Sequence, residues 1–308
     1  MAILGNRSKV LITGLSGFTG KHLGVHLSGA GWSIAGLGGQ RLEVETDHLE
    51  ADLNDTEALT SWIREIQPSH VIHLAALTHV TQNDALSFYK VNVLGTESLL
   101  IALLNSGVPI KKIVIASSAN IYGNSKSSPI AETAIPQPVN HYALSKLAME
   151  NLLGKWHEKF SILTVRPFNY TGASQSESFV FSKIVGAFSR KEKELRLGNL
   201  DVSRDLSDIS VVVEAYSRLL DYDGQNDIFN VCSGRSVSLM DVIDIMEEIA
   251  GYRPTIVVDQ AFVRSNEIKE LYGSPEKLFS AVGKIKIPTL YETLSSIYDS
   301  KLKVDIQS

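Results

Sequence analysis

Cysteine is nearly absent from this 308-residue chain: Cys232 stands alone, so no intrachain disulfide can form and a reducing compartment is the expected setting. Basic charge is in deficit, with 29 Lys and Arg against 34 Asp and Glu and a formal net charge of -5. That leaves no positive field for sequence-independent binding to nucleic acid, although a local arginine site for a small anion stays open. No apolar run reaches the length of a membrane span, and polar Asn6, Arg7, Ser8 and Lys9 interrupt any signal-peptide pattern. Proline is sparse, at 9 residues, and no segment is repeated or of low complexity, which excludes a disordered or solenoid chain. No metal site is expected. What remains is a globular, cytoplasmic protein without a membrane segment, of a length that fits about two domains.

What is present begins with alternation. Short apolar runs at Lys9–Gly14, Ser33–Leu37, His48–Leu53, His70–Leu77 and Lys112–Ser117 are separated by segments of helical spacing, among them His22–Ala30, Thr56–Ile66 and Asn92–Asn105. Short strands buried on both faces and joined by helices predict an α/β fold with a Rossmann-type doubly wound parallel sheet. The alternation breaks after Ser161–Arg166. Residues from Pro167 to about Asp205 are rich in Ser, Lys and Glu, and Ile228–Cys232 returns to the strand pattern. A helix from Leu239 then leads into a tail that reads as irregular. Residues 1–166, with returning segments at about 206–236, are expected to form the dinucleotide-binding domain. Residues 167–205 and 237–308 are expected to form a smaller α/β substrate lobe over the carboxyl edge of the sheet, where such folds place ligands. Arg190–Arg196, of mixed charge sign, reads as a solvated helix face.

The first turn carries Gly14, Ser16, Gly17, Phe18, Thr19 and Gly20 between a strand and a helix. Glycines there allow a tight turn and let a pyrophosphate approach the backbone at the positive end of the helix. An NAD site usually has an acidic residue after the second strand. Here the chain reads Gly38-Gly39-Gln40-Arg41, and an arginine suits a 2′-phosphate, so NADP(H) is favoured with NAD(H) still possible. Asp52, followed by Leu53, ends the third run where a carboxylate could accept from an adenine amino group. Leu74, Ala75 and Ala76 end the fourth with small residues that suit the nicotinamide side of a cofactor.

Tyr142 and Lys146 lie four residues apart in a segment of helical period, hence on one face. An ammonium beside a phenol is expected to lower the phenol pKa and ease proton exchange near neutral pH. Ser118 ends the fifth strand, where its hydroxyl could orient a carbonyl oxygen toward the tyrosine.

TGLSGFTG from Thr13, Asp52-Leu53, HLAA from His73, Asn92-Val93-Leu94-Gly95-Thr96, SSANIYG from Ser117, YALSK from Tyr142 and RPFN from Arg166 occur in the order of the extended short-chain dehydrogenase/reductase family, which the chain resembles nearly throughout. The resemblance implies Ser118, Tyr142 and Lys146 as the catalytic triad. It also implies that Lys146 holds the nicotinamide ribose and that Asn92 supports the lysine. The later runs Gly198–Asp205 and Asn230–Gly234 are similar to the GDP-mannose branch of that family, and within it to the GDP-4-dehydro-6-deoxy-D-mannose reductases, which form GDP-D-rhamnose or GDP-6-deoxy-D-talose. By that likeness Asn169, Arg204 and Arg264 contact a nucleotide diphosphate, Phe179 and Val180 lie near its sugar or base, and Glu267 binds sugar-nucleotide hydroxyls. The expected activity is NAD(P)H-dependent reduction of the C4 keto group of a nucleotide-diphosphate 4-keto-6-deoxy sugar.

Related reactions need groups that this chain lacks. A 4,6-dehydratase carries a glutamate just after its serine or threonine, where Ala119 and Asn120 stand. A 3,5-epimerase/reductase needs a cysteine and a histidine, but Cys232 lies far along the chain and no histidine follows RPFN. An NAD-dependent nucleotide-sugar 4-epimerase needs only the triad and is the alternative. A non-catalytic NADPH sensor is disfavoured by the intact Tyr142 and Lys146. The family pattern also implies a homodimer, through helices at about 83–105 and 142–157.

Overall fold

The computed structural model describes residues 8–78, 84–125, 128–263 and 268–307, the last four without their side chains. Seven strands form one parallel sheet: β1 (Lys9–Thr13), β2 (Ser33–Leu37), β3 (Glu45–Leu49), β4 (His70–His73), β5 (Lys112–Ala116), β6 (Ile162–Pro167) and the late β10 (Asp227–Val231). Their order is β10-β6-β5-β4-β1-β2-β3, so the chain reverses direction across the sheet between β1 and β4. That reversal opens a crevice at the carboxyl ends of these two strands.

Alternation along β1 explains the layering. Val10 and Ile12 enter a core shared with α1 (Phe18–Gly29) and α7 (Ile209–Leu220), whereas Leu11 points into the opposite core with α2 (Thr56–Ile66) and α4 (Thr96–Ser106). Burying the strands on both faces is what makes them read as continuous apolar runs. α2 begins at Asp55, whose carboxylate accepts from the Ala58 N–H at 3.0 Å, and it turns Leu59, Trp62, Ile63 and Ile66 inward.

α3 (Ala85–Tyr89), a π turn (Lys90–Gly95) and α4 run on as one 22-residue helical stretch. Among the described residues it is the one helix long and apolar enough, by length and composition, to cross a membrane. Lys90 and Glu97 hide that length in the sequence. Leu99, Leu100, Ala102 and Leu103 bury its inner face in the core.

The second lobe is built from later pieces. β7 (Asn169–Thr171), β9 (Ser203–Asp208), β11 (Ser236–Ser238) and β13 (Glu270–Leu271) make a small sheet centred on β9. Around it lie α6 (Val180–Ser189), β8 (Glu194–Leu197), α8 (Leu239–Ala250), β12 (Thr255–Val258) and α10 (Leu290–Gln307), whereas α9 (Glu276–Val282), expected in this lobe, packs Leu278 into the core of the large sheet with α7 and β10. Two further expectations fail here. The charged run at Arg190 is not a helix face: α6 stops at Ser189, Lys191 takes φ +54°, and β8 follows with Leu195 and Leu197 buried and Glu194 and Arg196 out. Nor is the tail irregular, because Leu294, Ile297 and Tyr298 of α10 pack into the lobe core with Phe188, Val242 and Met246.

Candidate active site

The crevice starts at the turn after β1. Gly14 takes φ +70°, and a Cβ there would stand 2.8 Å from the Ala75 nitrogen in the segment leaving β4. A Cβ on Gly20 would fall on the Gly14 carbonyl and on Leu15. Only glycine lets the turn, α1 and the β4 exit pack this closely. α1 has no acidic residue in its first turn, and its N-cap Gly17 offers no side-chain cap. Its first N–H groups therefore suit an anion. Gly38 and Gly39, with φ +82° and +65°, bring the end of β2 against the Ser16 side chain. Phe18 stacks on Tyr170 at 6.1 Å, and Thr19 shares a 2.8 Å hydrogen bond with the Tyr170 hydroxyl, tying the turn to β7.

Other residues expected to serve the cofactor are spread around this turn. Arg41 is exposed and donates to the Glu45 carbonyl at 3.3 Å. Asp52 is exposed, its carboxylate accepting from the Asn54 N–H and side-chain amide at 2.9 Å each, which holds its pKa down. Leu53 packs against Gly95 of the π turn. The Ala75 N–H donates to Thr13 Oγ1 at 3.1 Å.

That last bond begins a chain whose directions can be assigned. Thr13 is 2.7 Å from His73 Nδ1, and His73 Nε2 is 2.9 Å from Thr96 Oγ1, whose own proton goes to the Asn92 carbonyl at 2.8 Å. Nε2 must therefore donate, and in the neutral ring that burial enforces Nδ1 accepts from the Thr13 hydroxyl. Burial, with the Lys146 charge second, holds its pKa at about 3. Asn92 lies in the π turn, a geometry often found at functional positions. Its amide donates to the Leu77 carbonyl and to Ser145 Oγ, and Ser145 donates to the Tyr142 carbonyl. Asn92 thus braces the helix beside Lys146 rather than the lysine itself.

That helix is α5 (His141–Leu153), capped by Asn140, whose side chain accepts from the Ala143 N–H at 2.9 Å. It carries Tyr142 and Lys146 toward the end of β5. Ser118 caps a 3-10 turn, Ala119–Tyr122, and hydrogen-bonds the Tyr142 phenol. Burial pushes that phenol up to about 12, the Ser118 bond opposing. Lys146 is buried, donates to the Ala116 carbonyl at 2.7 Å, and is pulled down to about 8 by burial, with Glu150 opposing. The expectation of a lowered phenol pKa does not hold, because the net shift is upward. Desolvation of the phenol dominates, and the lysine is committed to the Ala116 carbonyl. The neighbouring Ser117 hydroxyl is buried and has no partner among the described residues.

Arg204 sits on β9, paired with Val237 and Leu271 on its two sides, and donates to the Ser203 and Lys269 carbonyls at 2.8 and 3.3 Å. Asn169 is exposed on β7 and registers with Leu206, two residues from Arg204, so these two share one sheet. Phe179 and Val180 stand exposed at the start of α6. Arg264 and Glu267 lie outside the described residues. Missed from sequence was Asp205, fully buried, whose carboxylate takes the Ser233 N–H and hydroxyl at 2.7 and 2.8 Å and the Gly234 N–H at 2.9 Å. Its place in SRD beside Arg204 was the available signal. Among the described residues, no cluster of His, Cys and carboxylates could hold a metal.

A family model described as GDP-mannose 4,6 dehydratase matches residues 11–286. The chain belongs to this family. Within reach of it, GDP-6-deoxy-D-talose 4-dehydrogenase of Aggregatibacter actinomycetemcomitans is 32% identical over 295 residues, spanning 96% of this chain and 98% of the relative. GDP-6-deoxy-D-mannose reductase of Pseudomonas aeruginosa is 34% identical over 302 residues, spanning 94% and 95%. Among solved structures, RMD from Pseudomonas aeruginosa complexed with NADPH superimposes with TM-score 0.86 at 32% identity, covering 97% of this chain and all of that one. A Burkholderia cenocepacia J2315 structure described provisionally as an epimerase gives TM-score 0.90 at 39% identity, covering 96% and 98%. MoeE5 with UDP-glucuronic acid and NAD gives 0.87 at 26%, covering 96% and 99%. The nucleotide-sugar resemblance read from the motifs is thereby borne out. The family name alone does not choose a reaction, since one scaffold supports several.

Proposed function

We propose that this protein is an NADPH-preferring oxidoreductase that reduces the C4 keto group of GDP-4-dehydro-6-deoxy-D-mannose, giving GDP-D-rhamnose or GDP-6-deoxy-D-talose. The observation that carries this reading is the Ser118–Tyr142 pair, with a phenol that keeps its proton at neutral pH, followed by Ala119 and Asn120, where a dehydratase needs an acid–base side chain. The names of the two curated relatives support the same chemistry.

The residues present fit a dinucleotide. The glycine turn would receive its pyrophosphate, Arg41 a 2′-phosphate, Lys146 the nicotinamide ribose, and the unpartnered Ser117 hydroxyl lies next to the catalytic serine. A reduced nicotinamide bound there supplies hydride to C4. Ser118 holds the keto oxygen and aligns it with Tyr142. The phenol gives its proton to the oxygen as negative charge develops, a transfer worth about 10²–10⁴ in rate. The Lys146 cation, one turn along the same helix face, favours the phenolate left behind. Arg204, fixed by two carbonyls, is suited to the diphosphate, with Asn169 beside it on the same sheet and Phe179 and Val180 offering apolar surface. Arg264 and Glu267 complete the proposed substrate contacts.

Absorbance loss of NADPH with the 4-keto sugar nucleotide tests the reading, and no consumption overturns it. The alternative, an NAD-dependent 4-epimerase, fits the same triad and the epimerase-described neighbour. It would interconvert C4 epimers with no net cofactor consumed. We also propose a homodimer, because Leu86, Leu94, Ile101 and Leu104 of the long helical stretch and Leu144 of α5 are exposed apolar side chains.

A further inference from the structure

Tyr142, Lys146 and Glu150 follow one another on α5 at steps of four, so they line one helix face a turn apart. The mechanism above uses only the first two. Glu150 is buried, its side chain 6% exposed, and its two oxygens hold Arg166: Nε donates to Oε1 at 3.0 Å and Nη2 to Oε2 at 2.6 Å. Arg166, near the end of β6, is as deeply buried. Its Nη1 donates to the Tyr122 hydroxyl at 2.8 Å and to the Glu132 carbonyl at 3.2 Å, and the guanidinium lies 5.1 Å from the Tyr122 ring centre.

A buried ion pair is a poor source of stability, because apolar side chains of the same volume often serve as well or better. What such a pair does provide is charge at a fixed place. The place here is one turn beyond Lys146, whose own ammonium is buried with the Ala116 carbonyl as its hydrogen-bond partner. Burial opposes the lysine charge, and the Glu150 carboxylate is the charge that favours it. Other titratable groups around Lys146 and this pair are Tyr142 on the same helix, His73 at the end of β4, Tyr122, and Glu132. His73 is neutral and both phenols hold their protons at neutral pH. The Glu132 carboxylate is bound to the Asn230 N–H at 2.8 Å.

We infer that Glu150, locked in place by Arg166, is a positioning residue of the active site that keeps the buried Lys146 side chain in its ammonium form. Its bearing on turnover rests on the ketoreductase reading, but its test does not need turnover.

In whole protein carrying isotope-labelled lysine, the Lys146 Cε NMR shift, assigned by its loss in Lys146→Arg, follows the amine through its titration without cofactor or substrate. The midpoint in the unsubstituted protein is expected near 8. Glu150→Gln leaves Arg166 as an unbalanced neighbouring cation and should lower that midpoint by about one pH unit or more. Arg166→Gln leaves the carboxylate unbalanced and should raise it by about as much. Opposite signs are the signature, since loss of packing alone would let water reach Lys146 and raise both midpoints, and Glu150→Asp, which keeps the charge, should restore the original value. The alkaline limb of NADPH oxidation should shift in the same order. Should a single variant fail to fold, the double variant Glu150→Gln/Arg166→Gln, with no charge left unpaired, decides: its midpoint should fall, by less than in Glu150→Gln. Unchanged midpoints, or shifts of the same sign, overturn the inference. Midpoints that shift as stated in a protein that turns over no 4-keto sugar would overturn the ketoreductase reading alone.

Discussion

The sheet half and the second lobe hold their candidate groups in different ways. Around β1, β4 and α5, buried polar side chains are tied into hydrogen-bonded chains, the Ser117 hydroxyl beside them excepted. One directed chain runs from the Ala75 N–H through Thr13, His73 and Thr96 to Asn92, and a second from the Asn92 amide through Ser145 to the Tyr142 carbonyl. In the lobe, Asn169, Phe179 and Val180 are exposed, and Arg204 is held by backbone carbonyls at a sheet centre. A fully satisfied buried network fixes geometry before any ligand arrives. Exposed side chains complete their contacts only when a ligand is present. The difference assigns chemistry to the rigid half and recognition to the lobe.

Substitutions can break that division, and the largest effect is expected in the rigid half. Tyr142→Phe should lower kcat by about 10³ while leaving the NADPH dissociation constant unchanged, since it removes the proton and not the fold. Retained turnover would end the assignment. In the lobe, Arg204→Gln should act on the other parameter. KM for the sugar nucleotide should rise by about 10- to 100-fold, the loss of a charge-assisted contact, with kcat little changed. A fall in kcat with KM intact would place Arg204 on the chemical side.

Acid sharpens the contrast through stability. His73 is held at about 3 and His70 at about 4, both chiefly by burial, below the ordinary 6.5. A depressed histidine leaves the unfolded chain to take up protons first, so stability falls as pH drops from about 6.5 toward those values. His73 alone should forfeit about 2 kcal/mol by pH 5, seen as a lower denaturant midpoint. In the lobe Glu177, held at about 2 by its hydrogen bond to Arg190 against burial, loses its contribution only below about pH 4.5. Hydrogen exchange at pH 5 should therefore loosen β4 before α6, and the reverse order would contradict the account. The smallest effect is expected at exposed Arg41: Arg41→Ala should raise KM for NADPH about two- to fivefold and leave that for NADH unchanged.

Legibility followed the same division. Strands β1, β2, β4, β5 and β6 were readable because burial on both faces writes them as short apolar runs, and α2 because Leu59, Trp62, Ile63 and Ile66 keep a helical period; β3 was not, since Glu45–Leu49 is mostly polar and only its first residue is buried, so the run expected at His48–Leu53 falls three residues late. Ser118, Tyr142 and Lys146 were readable as local motifs. The His73 chain was not, because its partners lie 60 and 23 residues away and hydroxyl pairing leaves no spacing to detect. Asp205 gathers donors from the Ser233–Gly234 turn, 28 residues on, and was hidden for the same reason. In the lobe, β8 is four residues of charge and leucine alternating, too short to stand out beside the lysines before it. The period of α10 is present at Leu290, Leu294, Ile297 and Tyr298, yet Tyr291, Glu292, Thr293, Ser295 and Ser296 between them mask it.

The central claim is a single hydride reduction at C4 with Tyr142 as proton donor. Incubation with GDP-4-dehydro-6-deoxy-D-mannose and NADPH, with the product identified by NMR, tests it most directly. The account predicts one 6-deoxyhexose carrying a new hydrogen at C4, GDP-D-rhamnose or GDP-6-deoxy-D-talose, with one NADPH consumed per product. Recovery of the 4-keto sugar unchanged, or a C4 epimer formed from a non-keto sugar with no NADPH consumed, would contradict it.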